Sequence, residues 1–234
     1  LEFMAISRAR AMLESGEARG ALDIPLGPEI GQCCGGRVEI LLRRVDARIA
    51  ETLRDAEAEQ IREQPAVFIF GAGHVGRALL RALEPLPLTV TLVESRQAEG
   101  KAIAGLARVR LEAMPESVVE VMPKGAAAVI VTHDHALDFL IARAALMRSD
   151  LAYVGMIGSQ TKRAAFANWL KREGDAPARA GGSDTGNLLS RLVLPIGGAR
   201  VRDKRPEVIA ALTVAEILAA LAHHRALEPA RGEA

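Results

Sequence analysis

From Val67 onward, short apolar runs alternate with stretches at helical spacing. The runs lie at 67–70 (VFIF), 88–93 (LTVTLV), 126–131 (AAAVIV), 151–155 (LAYVG) and 191–194 (RLVL), with a weaker one near 107–111. Between them, 74–84, 115–121, 135–148, 159–173 and 206–222 read as helices. Buried strands in alternation with helices predict an α/β fold with an open, mostly parallel sheet and helices on both faces. The stretch EGDAPARAGGSDTGN, 173–187, reads as a long polar loop.

The first part of the chain has a different pattern. Met4, Ala5, Ile6, Ala9, Met12 and Leu13 fall at helical spacing, and Gly16 ends that helix. ALDIPLG reads as a strand ending at Pro25, and RVEILLRRV as a second strand over Val38 to Leu42. Residues 46–62, rich in Ala, Glu and Arg, continue as a helix toward Pro65. The expected organisation is a small α+β N-terminal domain over 1–45, a helical linker over 46–65 and a larger α/β domain over 66–234. Leu1-Glu2-Phe3 precedes the first Met with the helical pattern already under way, so a truncated N-terminal domain is expected.

Half of the 234 residues are hydrophobic but only 3 % are aromatic, so the apolar content suits helices packed on a sheet. It does not suit the aromatic platforms that stack nucleic-acid bases. A net charge of +1 lacks the basic footprint of a nucleic-acid binder. No apolar run reaches about 18 residues, and the charged N-terminus does not read as a signal peptide, so no membrane span is expected. Two cysteines without a disulfide framework point to the cytoplasm.

Candidate chemistry sits at the strand ends. In VFIFGAGHVGRALL, Gly71, Gly73 and Gly76 fit G-x-G-x-x-G after a strand and at the opening of a helix, with His74 inside the motif. The first glycine allows the tight turn, the second lets a pyrophosphate approach the backbone, and the third lets helix pack on strand. Glu94 closes the next strand 18 positions after Gly76, where a carboxylate takes ribose hydroxyls. This context predicts a Rossmann-like domain. In VTHDHALDF, Thr132, His133 and Asp134 follow the strand at 126–131. Asp134 suits helix capping, the group suits polar ligand contact, and a metal would need a third ligand that is not local. In YVGMIGSQTKR, Gly158 and Ser159 open a helix, and Lys162 and Arg163 can meet an anion or stay solvated. Arg200, Arg202, Lys204 and Arg205 gather before Pro206, where a phosphate or an acidic protein would fit, and Glu216 shares a helical face with Ile209 and Leu212.

Both cysteines, Cys33 and Cys34, stand in GPEIGQCCGG. Adjacent cysteines lack the geometry for a mutual disulfide, and two thiols are too few for structural zinc. Glycine-flanked thiols can serve as soft ligands or lie buried and inert. There is no G-x-S-x-G, no H-E-x-x-H and no P-loop Lys, so no conventional nucleophile–base pair is legible.

Taken in order, GPEIGQCCGGRVEILL, VFIFGAGHVGRALLRAL, VTHDHALDF, YVGMIGSQTKR and LPIGG…KRPEVIAALTVAEIL resemble the XdhC/CoxI family over nearly the whole chain. The family is described as molybdenum-cofactor chaperones. The resemblance implies a protein that holds molybdopterin, supports its sulfuration by a cysteine desulfurase and inserts it into the xanthine dehydrogenase apo-subunit. It implies cofactor contacts at Gln32, Cys33, Cys34, Gly71, Gly73, His74, Gly76, Glu94, His133, Asp134, Gly158, Ser159 and Lys162. Cys33 and Cys34 would touch metal only through the bound cofactor. A nucleotide or NAD(P) is the alternative ligand, with an NAD(P)-dependent oxidoreductase as the rival function. The apolar helices leave room for a homodimer.

Overall fold

The computed structural model describes residues 1–27, 35–101, 108–174, 185–198 and 201–227. They group into two units, Leu1–Arg62 and Glu63–Ala234. The first unit runs α1 (Glu2–Ser15), β1 (Arg19–Pro25), β2 (Arg37–Arg43) and α2 (Ala47–Arg62). Gly16, at φ 78°, ends α1 in the left-handed conformation that glycine adopts without penalty. β1 and β2 pair antiparallel, from Arg19 opposite Arg43 to Pro25 opposite Arg37. Their side chains alternate in exposure, and Ile24 and Met12 are buried. The Leu26 amide donates to the Gly36 carbonyl at 2.9 Å, extending the β1–β2 pairing beyond Pro25 and Arg37.

The second unit contains β3 (Ala66–Phe70), α3 (His74–Leu83), β4 (Thr89–Glu94), α4 (Gln97–Lys101), β5 (Arg108–Leu111), a 3₁₀ turn (Pro115–Val121), β6 (Ala127–Ile130), α5 (His135–Met147), β7 (Tyr153–Met156), α6 (Gln160–Gly174), α7 (Thr185–Arg191), β8 (Leu192–Val193) and α8 (Pro206–Leu227). The sheet order is β5-β4-β3-β6-β7-β8, with every pairing parallel. The direction of winding reverses between β3 and β6. Ligands of open α/β sheets bind at that reversal, beyond the carboxyl ends of the strands.

Alternation along the strands builds a core on each face. Val67 and Ile69 of β3, with Ala127 and Val129 of β6, pack among Leu79, Leu83, Ile217 and Leu221 of α3 and α8. Phe70, Ala128 and Ile130 pack on the other face with Ile141, Leu146 and Phe166 of α5 and α6. Both faces of the sheet are therefore covered by helices, and an all-parallel sheet requires this.

Several elements differ from the sequence pattern. Residues 115–121, expected as a helix, form a 3₁₀ helix that begins with Pro115. The strand expected at 151–155 is paired over 153–156, and the one at 191–194 has only two paired residues. The polar stretch 173–187 ends in α7, whose first residue is Thr185. α8 extends to Leu227 and, by length and composition, could cross a bilayer, where no such segment was expected. Its inner stripe of Ala210, Thr213, Ile217 and Leu221 is buried, with Ala210, Ile217 and Leu221 in the core shared with α3.

Candidate functional site

Two βα loops meet at the winding reversal. Gly71 has φ 114°, and a Cβ there would stand 2.6 Å from the Val131 carbonyl oxygen, so only glycine fits this crossing. A Cβ on Gly76 would run into the Gly71 carbonyl oxygen, which explains the third glycine of the motif. Gly73 caps α3 without a side-chain hydrogen bond, and the space where its Cβ would stand is open. The unpaired amides of the first turn of α3 and its helix dipole are thus available to an anion.

Glu94 ends β4 beside this loop and is 2 % exposed. Its Oε2 accepts from the Ala72 amide at 2.8 Å and from Arg96 Nη2 at 3.0 Å. Its Oε1 accepts from the amides of Ser95 and Arg96, both at 2.9 Å, and from Arg96 Nε at 3.0 Å. Burial alone would raise the pKa of this carboxyl, but the Arg96 guanidinium and the backbone donors outweigh it and lower the pKa to about 2. The carboxylate expected to take ribose hydroxyls instead fastens the glycine loop to the end of β4.

The loop after β6 is built around Asp138, which is buried. Asp138 Oδ1 accepts from the Thr132 hydroxyl at 2.6 Å and from the Thr132 amide at 3.1 Å. Its other oxygen pairs with Lys162 Nζ, also buried. Lys162 therefore turns inward, where the sequence suggested an anion contact, and ties the start of α6 to the start of α5. Gly158 leaves space for the Lys162 stem, since a Cβ there would come within 2.6 Å of Lys162 Cδ. The Ser159 hydroxyl accepts from the Lys162 amide at 3.3 Å, as an N-cap does. Arg163 donates to the carbonyls of Leu189, Leu192 and Leu194 and so braces α7 and β8. Asp134 caps α5 by accepting from the Ala136 amide at 2.7 Å, while His133 stays exposed. On the face carrying α8, the buried Tyr153 hydroxyl donates to Glu216 Oε2 at 2.9 Å, and the Gly197 amide donates to the same oxygen at 3.1 Å. Burial, the Glu216 charge and this hydrogen bond raise the Tyr153 pKa, so the phenol stays protonated.

A cleft of about 510 Å³ lies at the loop crossing, walled by Gly73, His74, Arg77, Arg96, Thr132 and His133 among others. That volume is in the range of small-molecule sites. The structure thus brings Gly73, His74 and His133 to one cleft and turns Glu94, Asp134 and Lys162 to loop construction. Gln32, Cys33 and Cys34 lie outside the described residues. Among the described residues, no three His, Cys, Asp or Glu side chains gather as a metal site. Sequence reasoning missed Arg77 and Arg96, whose signal is an arginine directly after the glycine motif and another two residues past the strand-end carboxylate.

The family described as the XdhC Rossmann domain matches residues 67–217. No curated protein matches the chain. Among solved structures, one described as a xanthine dehydrogenase from Bacillus halodurans superposes with a TM-score of 0.69 at 15 % identity, covering 95 % of this chain and 80 % of the other. At that identity the likeness is one of fold.

Proposed function

The chain belongs to the XdhC family, and from that premise we propose that it is an accessory protein that binds the molybdenum cofactor, supports its sulfuration and inserts it into a xanthine dehydrogenase apo-subunit. One observation carries this reading: the buried charges beside the cleft hold loops in place. Glu94 is engaged by Arg96 and three amides, and Asp138 by Lys162 and Thr132. Such a cleft is a rigid receptor with an open glycine at its floor, suited to holding a phosphorylated ligand.

When bound, the cofactor supplies the redox and soft-ligand chemistry of its molybdenum–sulfur centre. On this reading, the Gly73 backbone and the first turn of α3 hold its phosphate. His74, Thr132 and His133 contribute polar contacts from the cleft wall. Cys33 and Cys34 are proposed as thiol contacts of the cofactor, and a cysteine desulfurase and the apo-enzyme as the protein partners.

Anaerobic gel filtration with the isolated cofactor tests this, followed by transfer to apo-xanthine dehydrogenase. Co-elution and activation are expected, and a Cys33→Ala/Cys34→Ala variant should lose delivery. Absence of co-elution overturns the proposal, whereas normal delivery by the double variant overturns only the role of the cysteines. The second reading, an NAD(P)-dependent oxidoreductase, is favoured by the glycine loop at the winding reversal. It requires hydride transfer from a bound nicotinamide, and no NAD(P) binding at millimolar concentration would end it.

A further inference from the structure

We infer that Arg77 and Arg96 form a subsite for a phosphate monoester beside the glycine loop, and that the cleft rejects an unphosphorylated ribose diol at this position. The inference rests on reading the cleft as a ligand site.

A carboxylate at the end of β4 reads a ribose diol by accepting its two hydroxyl protons. Glu94 has no capacity left for that. A carboxylate offers about four lone-pair sites, and its oxygens already accept from the amides of Ala72, Ser95 and Arg96 and from two nitrogens of the Arg96 guanidinium. Of the Glu94–Arg96 pair, the side chain that reaches the cleft is Arg96, with the Glu94 carboxylate buried behind it. The polarity presented to the ligand is thereby reversed from acceptor to donor.

A second guanidinium stands nearby. Arg77 donates from Nε to the Ala72 carbonyl at 2.8 Å and from Nη2 to Glu99. Glu99 faces Arg96 as well, 3.9 Å from its Nη1, so the two arginines flank one carboxylate. Each guanidinium has five N–H donors, and among the described residues hydrogen bonds engage only Nε and Nη2 on each, with Arg96 Nη1 3.9 Å from Glu99 Oε1. Both Nη1 groups keep their donors for a ligand. All three side chains line the cleft and are about one-third exposed, which suits exchange of Glu99 for an incoming dianion. Two planar forks around one oxyanion favour a phosphate monoester, with three terminal oxygens, over a neutral diol. The monoester can be the 2′-phosphate of a dinucleotide or the terminal phosphate of a pterin cofactor.

Calorimetric titration of the whole chain with NADP⁺, NAD⁺ and, under anaerobic conditions, the molybdenum cofactor retaining its phosphate tests this in the wild type, Arg96→Gln and Glu99→Gln. If the monoester is on the nucleotide, NADP⁺ binds about tenfold or more tighter than NAD⁺, and Arg96→Gln removes that preference. If it is on the pterin, the dinucleotides are not discriminated and cofactor affinity falls about tenfold in Arg96→Gln. In either case Glu99→Gln tightens the phosphorylated ligand about three- to fivefold, a gain that misfolding cannot imitate. Equal affinity for NAD⁺ and NADP⁺, together with cofactor binding unchanged in both variants, overturns the subsite and leaves the chaperone reading standing. A clear NADP⁺ preference without cofactor binding does the reverse.

Discussion

Replacing Glu94 by Gln tests how the glycine loop is held. Burial would raise the pKa of the wild-type carboxyl, but the Arg96 guanidinium and the Arg96 and Ala72 amides lower it from 4.5 to about 2. A folded-state pKa below the unfolded value adds stability above the unfolded pKa, and that stability is lost as pH falls through the folded one. The full contribution, about 3 kcal/mol, is therefore present at pH 7 and almost intact at pH 5. By pH 3 it has fallen to about 1 kcal/mol. Gln cannot ionise and lacks this dependence. The stability difference between wild type and Glu94→Gln should accordingly shrink by about 2 kcal/mol between pH 7 and pH 3. Urea denaturation followed by Trp169 fluorescence measures it, because this sole tryptophan packs against Phe139 and Phe166 in the second unit. A difference that stays constant across that range would refute the assignment of the low pKa to the folded carboxylate. A constant offset from the amide's poorer fit to five donors does not affect the comparison.

Other substitutions probe the remaining supports of the cleft. Lys162→Met leaves the Asp138 carboxylate buried without its cation and should cost about 3–5 kcal/mol by urea denaturation; adding Asp138→Asn should recover more than half of that. Gly76→Ala drives a methyl group into the Gly71 carbonyl and should cost about 1–3 kcal/mol in thermal melts. Gly73→Ala, with open space at its Cβ, should cost less than about 1 kcal/mol yet weaken phosphate-ligand binding in calorimetry. Tyr153→Phe removes a hydrogen bond to the Glu216 carboxylate and should lower stability by about 1.5–3 kcal/mol, with faster amide exchange at Gly197.

The parts legible in the sequence are those whose signal is local. The glycine triplet, the strand before it and the helix after it are contiguous, so spacing alone located the βαβ core, whereas the winding reversal follows only from the strand order. The position of Glu94 was equally legible. Its use was not, because that depends on Ala72, 22 residues away, and on the rotamer of Arg96. The Asp138–Lys162 pair joins two motifs 24 residues apart, each of which suggested a ligand contact when read alone. α7 was hidden because it closes a polar, glycine-containing stretch, whereas β8 was legible from RLVL although only Leu192 and Val193 pair. Proline at the first turn suits α and 3₁₀ helices alike, so the sequence over 115–121 did not distinguish them.

The two lateral strands of the sheet limit how copies of this chain can associate. β8 offers a neighbour only Leu192 and Val193, too short a ladder to template another strand. β5, at the opposite side, is four residues long and carries Arg108 and Arg110, so a second copy added in register there would bring like charges together. Neither lateral strand is a good site for sheet extension. Any self-association through this unit would therefore fall to its helical faces.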